Sequence, residues 1–344
     1  MKANPSLIVL YVAAVVVAAA VTALATPLVR RLASHVGMLD QTGERRMHED
    51  PKPRIGGIGV FFGFAFALFT MLGFALAHPK MLYPAVGDQL DATHNLVGLL
   101  FGSMLILGVG AWDDIMGMRP RNKFLAQIVV AAISMLYGFV IVGIANPFNH
   151  DPNTNWIAFP IWVSIPLTLF WYVAMMNAIN FIDGLDGLLS GVAAISCASI
   201  FVISLVHGDP VVALIAASLA GAALGFLPYN FNPAKIILGD SGALFIGYVF
   251  ATLSTIGAAK TSVAIGLLVP IVVLALPILD TFFAIARRAL SGKRITEADR
   301  GHFHHQLIFR FGMNVRQAVL LIYAVCFVLG FAALIVSGTI HIKL

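Results

Sequence analysis

Residues 6–25 read SLIVLYVAAVVVAAAVTALA, an apolar run without a charged side chain. A helix rises about 1.5 Å per residue, so roughly 20 apolar residues are needed to cross the hydrocarbon core of a bilayer. This run has that length, and it is too long and too weakly basic at its start for a cleaved signal peptide. We therefore interpret residues 6–25 as a first transmembrane helix.

The composition of the whole chain excludes a soluble protein. Of its 344 residues, 60% are hydrophobic and only 11% are charged, and the mean hydropathy is +0.93. About a quarter of the residues of a soluble domain are charged, so this chain cannot cover its surface with polar groups. Both cysteines, Cys197 and Cys326, lie in apolar runs and are interpreted as small core residues.

Nine further apolar runs are interpreted as membrane spans, of which the eighth of the ten is short and flanked by glycine. They lie at residues 59–77, 96–112, 124–144, 161–179, 188–206, 211–227, 243–257, 263–286 and 318–337. Pro270 and Pro277 predict a kink or break in the ninth span. The sequence therefore predicts a single domain, residues 1–344, that is an all-α polytopic membrane protein with about ten transmembrane helices.

The positions of Lys and Arg give the orientation. If the N-terminus lies outside, 17 of the 21 Lys and Arg residues fall in loops on the opposite side of the membrane. Cytoplasmic loops carry the excess of Lys and Arg, so the N- and C-termini are expected to be periplasmic. The net charge of +5 is then explained by topology and by attraction for anionic headgroups or substrates, and no nucleic-acid binding is expected.

Six of the 16 carboxylates lie at or near predicted helix ends, and all of those ends are cytoplasmic. These six are Asp113, Asp114, Asp183, Asp186, Asp240 and Asp280. One such residue is readily explained as an interfacial group solvated by headgroup water. Six on one side indicate a pathway or a site, because acids at membrane depth are costly.

Asp113 and Asp114 are adjacent where the third span ends. Neighbouring carboxylates resist joint ionisation unless a cation compensates them. Hard oxygen ligands favour Mg²⁺, with Mn²⁺ as the alternative. Taken alone, the pair is better explained as a solvated turn.

Residues 177–188, NAINFIDGLDGL, place two amides and two carboxylates at the end of an apolar span. In a continuing helix, Asn177, Asn180, Asp183 and Asp186 would lie along one face because they are spaced by three. Gly184 and Gly187 instead permit tight turns. In either case such polar groups need partners at that depth, which favours a functional role.

A third polar segment joins the seventh and eighth spans, with PYNFNPAK at residues 228–235 and LGDSG at 238–242. Asp240 or Ser241 is a candidate N-cap of the next helix. The helix N-terminus and its free amides are equally a candidate phosphate site, and both roles can coexist. Asp240 is also placed to complete a metal site with the other carboxylates.

The last cytoplasmic loop contains DRGHFHHQL at residues 299–307 among several arginines. The H-x-H-H pattern leaves zinc open, and a plain basic loop facing the membrane is a second alternative. Because no thiolate accompanies the histidines and several arginines do, we favour contacts to phosphate oxygens. The first cytoplasmic loop adds His48, Lys52 and Arg54 beside a Gly-Gly pair. Carboxylates, basic side chains and glycine turns together indicate phosphoryl transfer to a reactant from the membrane.

These motifs, with PILDT at residues 277–281 and the ten spans, resemble the polyprenyl-phosphate N-acetylhexosamine-1-phosphate transferase family from about residue 45 to about residue 310. The resemblance implies transfer of a sugar 1-phosphate, most simply GlcNAc-1-phosphate, from a UDP-N-acetylhexosamine to undecaprenyl phosphate. UMP would be released at a cytoplasmic active site. It also implies a Mg²⁺-dependent, multi-pass enzyme of the bacterial inner membrane that starts a lipid-linked cell-envelope polysaccharide. A homodimer is left open.

The resemblance also implies roles for individual residues. The metal would be held by Asp240 with Asp113 and Asp114, and the catalytic carboxylates would be Asp113, Asp114, Asp183 and Asp186. We expect the substrate-binding residues to be His48, Arg54, Lys123, Asn177, Asn180, Asn230, Lys235, Arg300, His302, His304 and His305.

Three alternatives remain at this point. Transfer of phospho-MurNAc-pentapeptide is disfavoured by the histidine loop and by Ile115-Met116-Gly117 after the acidic pair, where that branch often has a lysine. An ion-coupled transporter is disfavoured because the acids lie at one mouth and not at the midplane. An intramembrane aspartyl protease would need glycine where Ile237 stands.

Overall fold

The computed structural model describes residues 5–36, 39–40, 52–77, 89–145, 156–260 and 303–340, with a few isolated positions between 275 and 290. The helices are α1 (Pro5–Val36), α2 (Gly57–Ala77), α3 (Gln89–Met116), α4 (Pro120–Leu136), α5 (Ile161–Ile182), α6 (Leu188–His207), α7 (Pro210–Asn230), α8 (Gly239–Lys260), α9 (Phe303–Phe309) and α10 (Val315–Val336). Two short antiparallel pairs join β1 (Leu39–Asp40) to β2 (Lys52–Pro53) and β3 (Gly143–Ala145) to β4 (Trp156–Ala158).

Within the described residues, seven helices are long and apolar enough to cross a membrane, namely α1, α2, α3, α5, α6, α7 and α10. The all-α polytopic fold is thereby confirmed. Helix α8 covers the predicted eighth span, and the ninth, at 263–286, lies largely outside the described residues. The number of ten spans and the periplasmic termini therefore stay predictions.

The fourth span is shorter than predicted. A helix was expected over residues 124–144, but α4 ends at Leu136 and Gly138 follows with a φ of +83°. Residues 143–145 then pair with residues 156–158. The run remains apolar and β-branched beyond the helix, so hydropathy did not show where the backbone becomes extended.

From Ala14 onward, helix α1 presents mainly small residues to its neighbours and large residues outward. The buried small residues are Ala14, Ala18, Thr22, Thr26 and Ala33. Leu24, Leu28 and Leu32 are exposed at a spacing of four. Small residues let helix backbones approach closely in a membrane, where burial of apolar surface gives little driving force between helices. Helix α1 therefore packs inward through its backbone and faces lipid with leucines.

Two Gly-x-x-x-Gly pairs complete this close packing. Gly59 and Gly63 of α2 approach Thr26 and Thr22, and a Cβ on Gly63 would clash with the Thr22 side chain. On α7, a Cβ on Gly221 would lie 2.8 Å from Val15 Cα, and one on Gly225 would lie 2.8 Å from Ala19 Cα. The contacts of α7 to α1 are thus backbone contacts that side-chain rotation cannot relieve.

We expect Gly225→Ala to lower thermal stability in detergent, because the new methyl group would overlap the backbone of Ala19. Overpacking of this kind costs about 1–3 kcal/mol. Gly108→Ala in α3 is the matched control, since nothing lies within 4 Å of a Cβ there. Unfolding followed by tryptophan fluorescence should give an unchanged or higher midpoint for the control, and equal midpoints for both variants would contradict the packing described.

Helix α8 lies in the interior and determines where the polar helix ends meet. Its residues Leu244 to Phe250 include no exposed side chain. Buried hydrogen bonds join Tyr248 to Ser134 of α4 (2.8 Å) and Thr252 to Tyr172 of α5 (3.0 Å). Because hydrogen bonds in an apolar interior are costly to leave unmade, they hold α8 in fixed register with α4 and α5. The N-terminus of α8 is therefore placed beside the ends of those helices.

Candidate active site

The predicted acidic residues come together at one end of the helix bundle. Asp113 and Asp114 occupy the last turn of α3, Asp183 follows the last residue of α5, and Asp240 lies in the first turn of α8. Asp186 lies in the turn before α6. Asp280 lies outside the described residues. The clustering predicted from the sequence is confirmed for these five.

Asp240 is the centre of the polar contacts. Its Oδ2 accepts a hydrogen bond from Lys123 Nζ at 2.5 Å, and its Oδ1 accepts from Asn180 Nδ2 at 2.8 Å. Arg54 Nη2 lies 3.4 Å from Oδ1. Three donors from the loop before α2, from α4 and from α5 thus fix one carboxylate, which remains 14% exposed.

Lys123 joins two carboxylates. Its Nζ is 2.8 Å from Asp113 Oδ2 as well as 2.5 Å from Asp240 Oδ2. The other oxygen of Asp113 accepts from the backbone amide of Met118 at 2.6 Å. The ammonium group therefore offsets the repulsion between two acids that would otherwise resist joint ionisation.

Asp114 is held differently from Asp113. Its side chain is completely buried, and it accepts from the backbone amides of Asp240 (2.8 Å) and Ser241 (2.9 Å). Arg54 Nε lies 3.2 Å from its Oδ1. The carboxylate binds the N-terminus of α8, where a negative charge is favourable. These two amides are thus not free for a phosphate, contrary to one of the interpretations of the Gly-Asp-Ser-Gly turn.

The chain before α2 reaches the site by pairing with residues 236–238. Ile237 N donates to Pro53 O (2.8 Å), Gly56 N to Ile237 O (3.0 Å) and Gly57 N to Leu238 O (2.8 Å). A Cβ on Gly57 would clash with the backbone of Gly242. The glycines therefore permit the close approach that brings Arg54 to Asp114 and Asp240.

The NAINFIDGLDGL segment does not continue as one helix. Helix α5 ends at Ile182, and Gly187 has a φ of +82°. Asn180 therefore contacts Asp240 from the helix, whereas Asp186 lies in the turn beyond it. The Oδ2 of Asp186 accepts from Ala234 N (2.9 Å) and Asn232 Nδ2 (3.2 Å), in the loop after α7. It also accepts from Lys52 Nζ of β2 (3.4 Å). The glycines have the turn-forming role that was one of the two predicted outcomes.

Asn230 and Lys235 are placed differently from each other. Asn230 is buried, accepts from Gly187 N (3.2 Å) and Ser190 Oγ (2.8 Å), and donates to Ile236 O (3.1 Å). The structure thus places this amide between two loops. Lys235 is exposed and is available to solvent or substrate at the rim.

Asp183 is the carboxylate with the fewest contacts. Its side chain makes no hydrogen bond or ion pair within the part of the chain that the structure describes. Burial raises the pKa of Asp183 to about 8, although Arg54 lowers it and the neighbouring Asp240 and Asp114 raise it further. A carboxyl group with such a pKa can exchange a proton near neutral pH.

Asn177 makes no contact with this cluster among the described residues, because it lies deeper in the bundle. Its Nδ2 donates to Gln127 Oε1 (2.6 Å) and to Val173 O (2.8 Å), one helical turn farther from the helix ends than Asn180. Gln127 was not predicted as a functional residue. The available signal was a polar amide four residues after Lys123 within an apolar span, since polar groups at that depth need a reason.

The histidine loop is described only in part. His48, Arg300 and His302 lie outside the described residues, and so do the side chains of His304 and His305, whose backbone belongs to α9. The following helix contacts the cleft loops: Arg316 Nε donates to Asn232 O at 3.0 Å, and Tyr323 OH donates to Gly187 O.

Two of the carboxylates are placed so that they could hold a divalent metal. Among the described residues there is no group of three or more His, Cys, Asp or Glu side chains that could hold an ion, and the Asp114 side chain is completely buried with both oxygens bound to backbone amides. Asp113 and Asp240 remain, 12% and 14% exposed. Mg²⁺ bound with substrate phosphates commonly uses one or two carboxylates, so this pair fits Mg²⁺ bound together with a pyrophosphate.

Comparison with known proteins gives concordant findings. Residues 96–258 match the model of the family described as glycosyl transferase family 4. The chain is 34% identical over 321 residues to the "Probable undecaprenyl-phosphate N-acetylglucosaminyl 1-phosphate transferase" of Bacillus subtilis, covering 93% of this chain and 83% of that protein.

Two further relatives differ in how much of this chain their similarity covers. The decaprenyl-phosphate N-acetylglucosaminephosphotransferase of Mycobacterium tuberculosis is 35% identical over 337 residues, with 92% of this chain and 80% of that protein covered. The phospho-N-acetylmuramoyl-pentapeptide-transferase of Staphylococcus aureus is 33% identical over 256 residues, with 71% and 77% covered. Similarity to the first kind thus extends over more of the chain.

Proposed function

This chain belongs to glycosyl transferase family 4, and from that membership we propose that it transfers N-acetylglucosamine 1-phosphate from UDP-N-acetylglucosamine to undecaprenyl phosphate. The observation that carries the proposal is the convergence of Lys123, Arg54 and Asn180 on Asp240 at the end of a membrane helix bundle. The products would be UMP and a lipid-linked sugar pyrophosphate. The enzyme would thereby start a cell-envelope polysaccharide in the bacterial inner membrane.

The chemistry follows from charge. In the reaction an oxygen of the lipid phosphate attacks the β-phosphorus of the UDP-sugar, and the bond from that phosphorus to the bridging oxygen of UMP breaks. Negative charge must be brought together and then redistributed, so catalysis depends on positioning and electrostatic stabilisation. Lys123 and Arg54 are the described cations beside Asp113, Asp114 and Asp240.

The carboxylates divide by their contacts. Asp114 and Asp186 are held by backbone amides and cations of the protein, and we assign them to the fixation of the cleft. Asp240 and Asp113 would hold Mg²⁺, which would supply neutralisation of the pyrophosphate. The Asp183 side chain makes no hydrogen bond or ion pair among the described residues and has a raised pKa, so we assign it to exchange a proton with the lipid phosphate or to orient it.

Purified protein in detergent should release UMP when it is given UDP-N-acetylglucosamine, undecaprenyl phosphate and Mg²⁺. Chelation of the metal should abolish release, and Mn²⁺ should restore it in part. The donor panel should include UDP-N-acetylgalactosamine and UDP-MurNAc-pentapeptide, because pentapeptide transfer is the second candidate. Turnover with the pentapeptide donor alone would overturn the proposed sugar, and no UMP release with any donor would overturn the reaction.

A further inference from the structure

A second hydrogen bond joins α4 to α5 one turn farther into the bundle than the contacts to Asp240. Gln127 lies four residues after Lys123 on α4, and Asn177 lies three residues before Asn180 on α5. Residues three or four apart lie on the same helix face. The pair Gln127–Asn177 therefore lies directly behind the pair Lys123–Asn180, and its bond is 2.6 Å long.

Burial of the Gln127 side chain lowers the stability of the folded protein. The residue is completely buried, and its Nε2 has no hydrogen-bond partner among the residues that the structure describes. A buried amide donor without a partner costs free energy that an apolar side chain of similar size avoids. Packing alone would be served at least as well by leucine, so the glutamine is explained by its one bond, to Asn177.

That bond acts on the two side chains in front of it. Lys123 binds Oδ2 of Asp240 from α4, and Asn180 binds Oδ1 from α5. The two contacts are made together only if α4 and α5 keep one spacing and one register. Asn177 is fixed in turn by its second bond, to Val173 O at 2.8 Å. The Gln127–Asn177 bond thus fixes the spacing between α4 and α5 at which Lys123 and Asn180 can both bind the Asp240 carboxylate.

We infer that Gln127 is a positioning residue that acts through Asn177 to keep Lys123 and Asn180 on the Asp240 carboxylate. This role rests on the proposed function for its effect on turnover, but its effect on Lys123 is independent of the reaction. Gln127 touches no reacting atom in this role. It therefore affects kcat more than the KM for the nucleotide sugar, because the groups that it positions face the reacting phosphates.

The variant Gln127→Leu removes the bond and also removes the unpartnered donor, so the folded yield and unfolding temperature should be equal to or above those of the wild type. We expect kcat to fall about 100-fold, as misplacement of catalytic groups by about 1 Å can do, with little change in KM. The exchanged pair, Gln127→Asn with Asn177→Gln, keeps the total side-chain length and should restore most of the loss.

A second measurement does not depend on activity. Acetylation of Lys123 by an N-hydroxysuccinimide ester, followed by peptide mass spectrometry, should be several times faster in Gln127→Leu than in the wild type or the exchanged pair. The exposed Lys235 serves to normalise labelling. Unchanged kcat and unchanged Lys123 labelling would overturn the inference, as would a loss that the exchanged pair does not relieve. If the wild type shows no turnover but Lys123 is still labelled faster in Gln127→Leu than in the wild type, the proposed function is overturned and the positioning role is supported.

Discussion

Asp240→Asn should reduce turnover by about three orders of magnitude, which is the upper range for removal of one preorganised electrostatic group from an active site. Lys123, Arg54 and Asn180 all bind this carboxylate, and the amide has the same shape but no charge. The measurement is UMP release per folded enzyme, with folding checked by size-exclusion chromatography. Because Asp240 would be one of the two residues that hold Mg²⁺, we also expect the metal to raise the unfolding temperature of the wild type more than that of the variant.

The control for this substitution is Asp209→Asn. Asp209 is also buried, and it caps α7 through a hydrogen bond from Val212 N, at the end of α7 that lies away from Asn230 and the site. Asparagine caps helices as well as aspartate does, so this variant should retain wild-type turnover. Activity of Asp240→Asn within tenfold of the wild type would show that the carboxylate at the centre of the site is not needed.

Gly239→Ala should remove both activity and much of the stability. Gly239 has a φ of +76°, and a Cβ there would clash with the backbone oxygen of Arg54 and lie 2.5 Å from Asp114 Oδ2. The left-handed backbone alone costs an alanine about 1–2 kcal/mol, and the clash displaces two residues that bind Asp240 or its amide. We expect a lower unfolding midpoint, and we also expect UMP release per folded enzyme to be lower than in the wild type.

Gly117→Ala separates these two contributions. Gly117 has a φ of +69° with nothing within 4 Å of a Cβ, so its substitution carries the left-handed cost without the clash. Its midpoint should fall slightly and its turnover per folded enzyme should stay near that of the wild type. If both alanine variants behaved alike, the close approach of Arg54 to Gly239 would have no functional importance.

The sequence predicted where the acids lie better than what each one does. Helix ends follow from hydropathy, and the convergence of Asp113, Asp183 and Asp240 then follows from topology. Which donors they meet was not predictable, because Arg54 reaches Asp114 and Asp240 through extended pairing between residues 53–57 and 236–238. That pairing joins segments far apart in the chain and leaves no periodic pattern.

Residues close together in the sequence also have different roles, because their side chains meet different neighbouring helices. Asp113 faces Lys123, whereas Asp114 is buried against the first turn of α8, because neighbouring positions on a helix point about 100° apart. Asn177 and Asn180 share a helix face but meet different partners, Gln127 and Asp240. The sequence identified the polar set, and only the packing of α8 against α4 and α5 assigned each member.

The glycine contacts of α1 bear on how the protein is made. Tyr229 OH of α7 donates to Ala23 O of α1 across 206 positions in the chain, on the same seam as Gly221 and Gly225. At usual rates of synthesis the ribosome needs roughly 10–40 s to make that length. Through that interval α1 stays in the bilayer with its small-residue face uncovered by α7. Assembly of the bundle is therefore completed by lateral association after insertion, because this seam cannot close before α7 has been made.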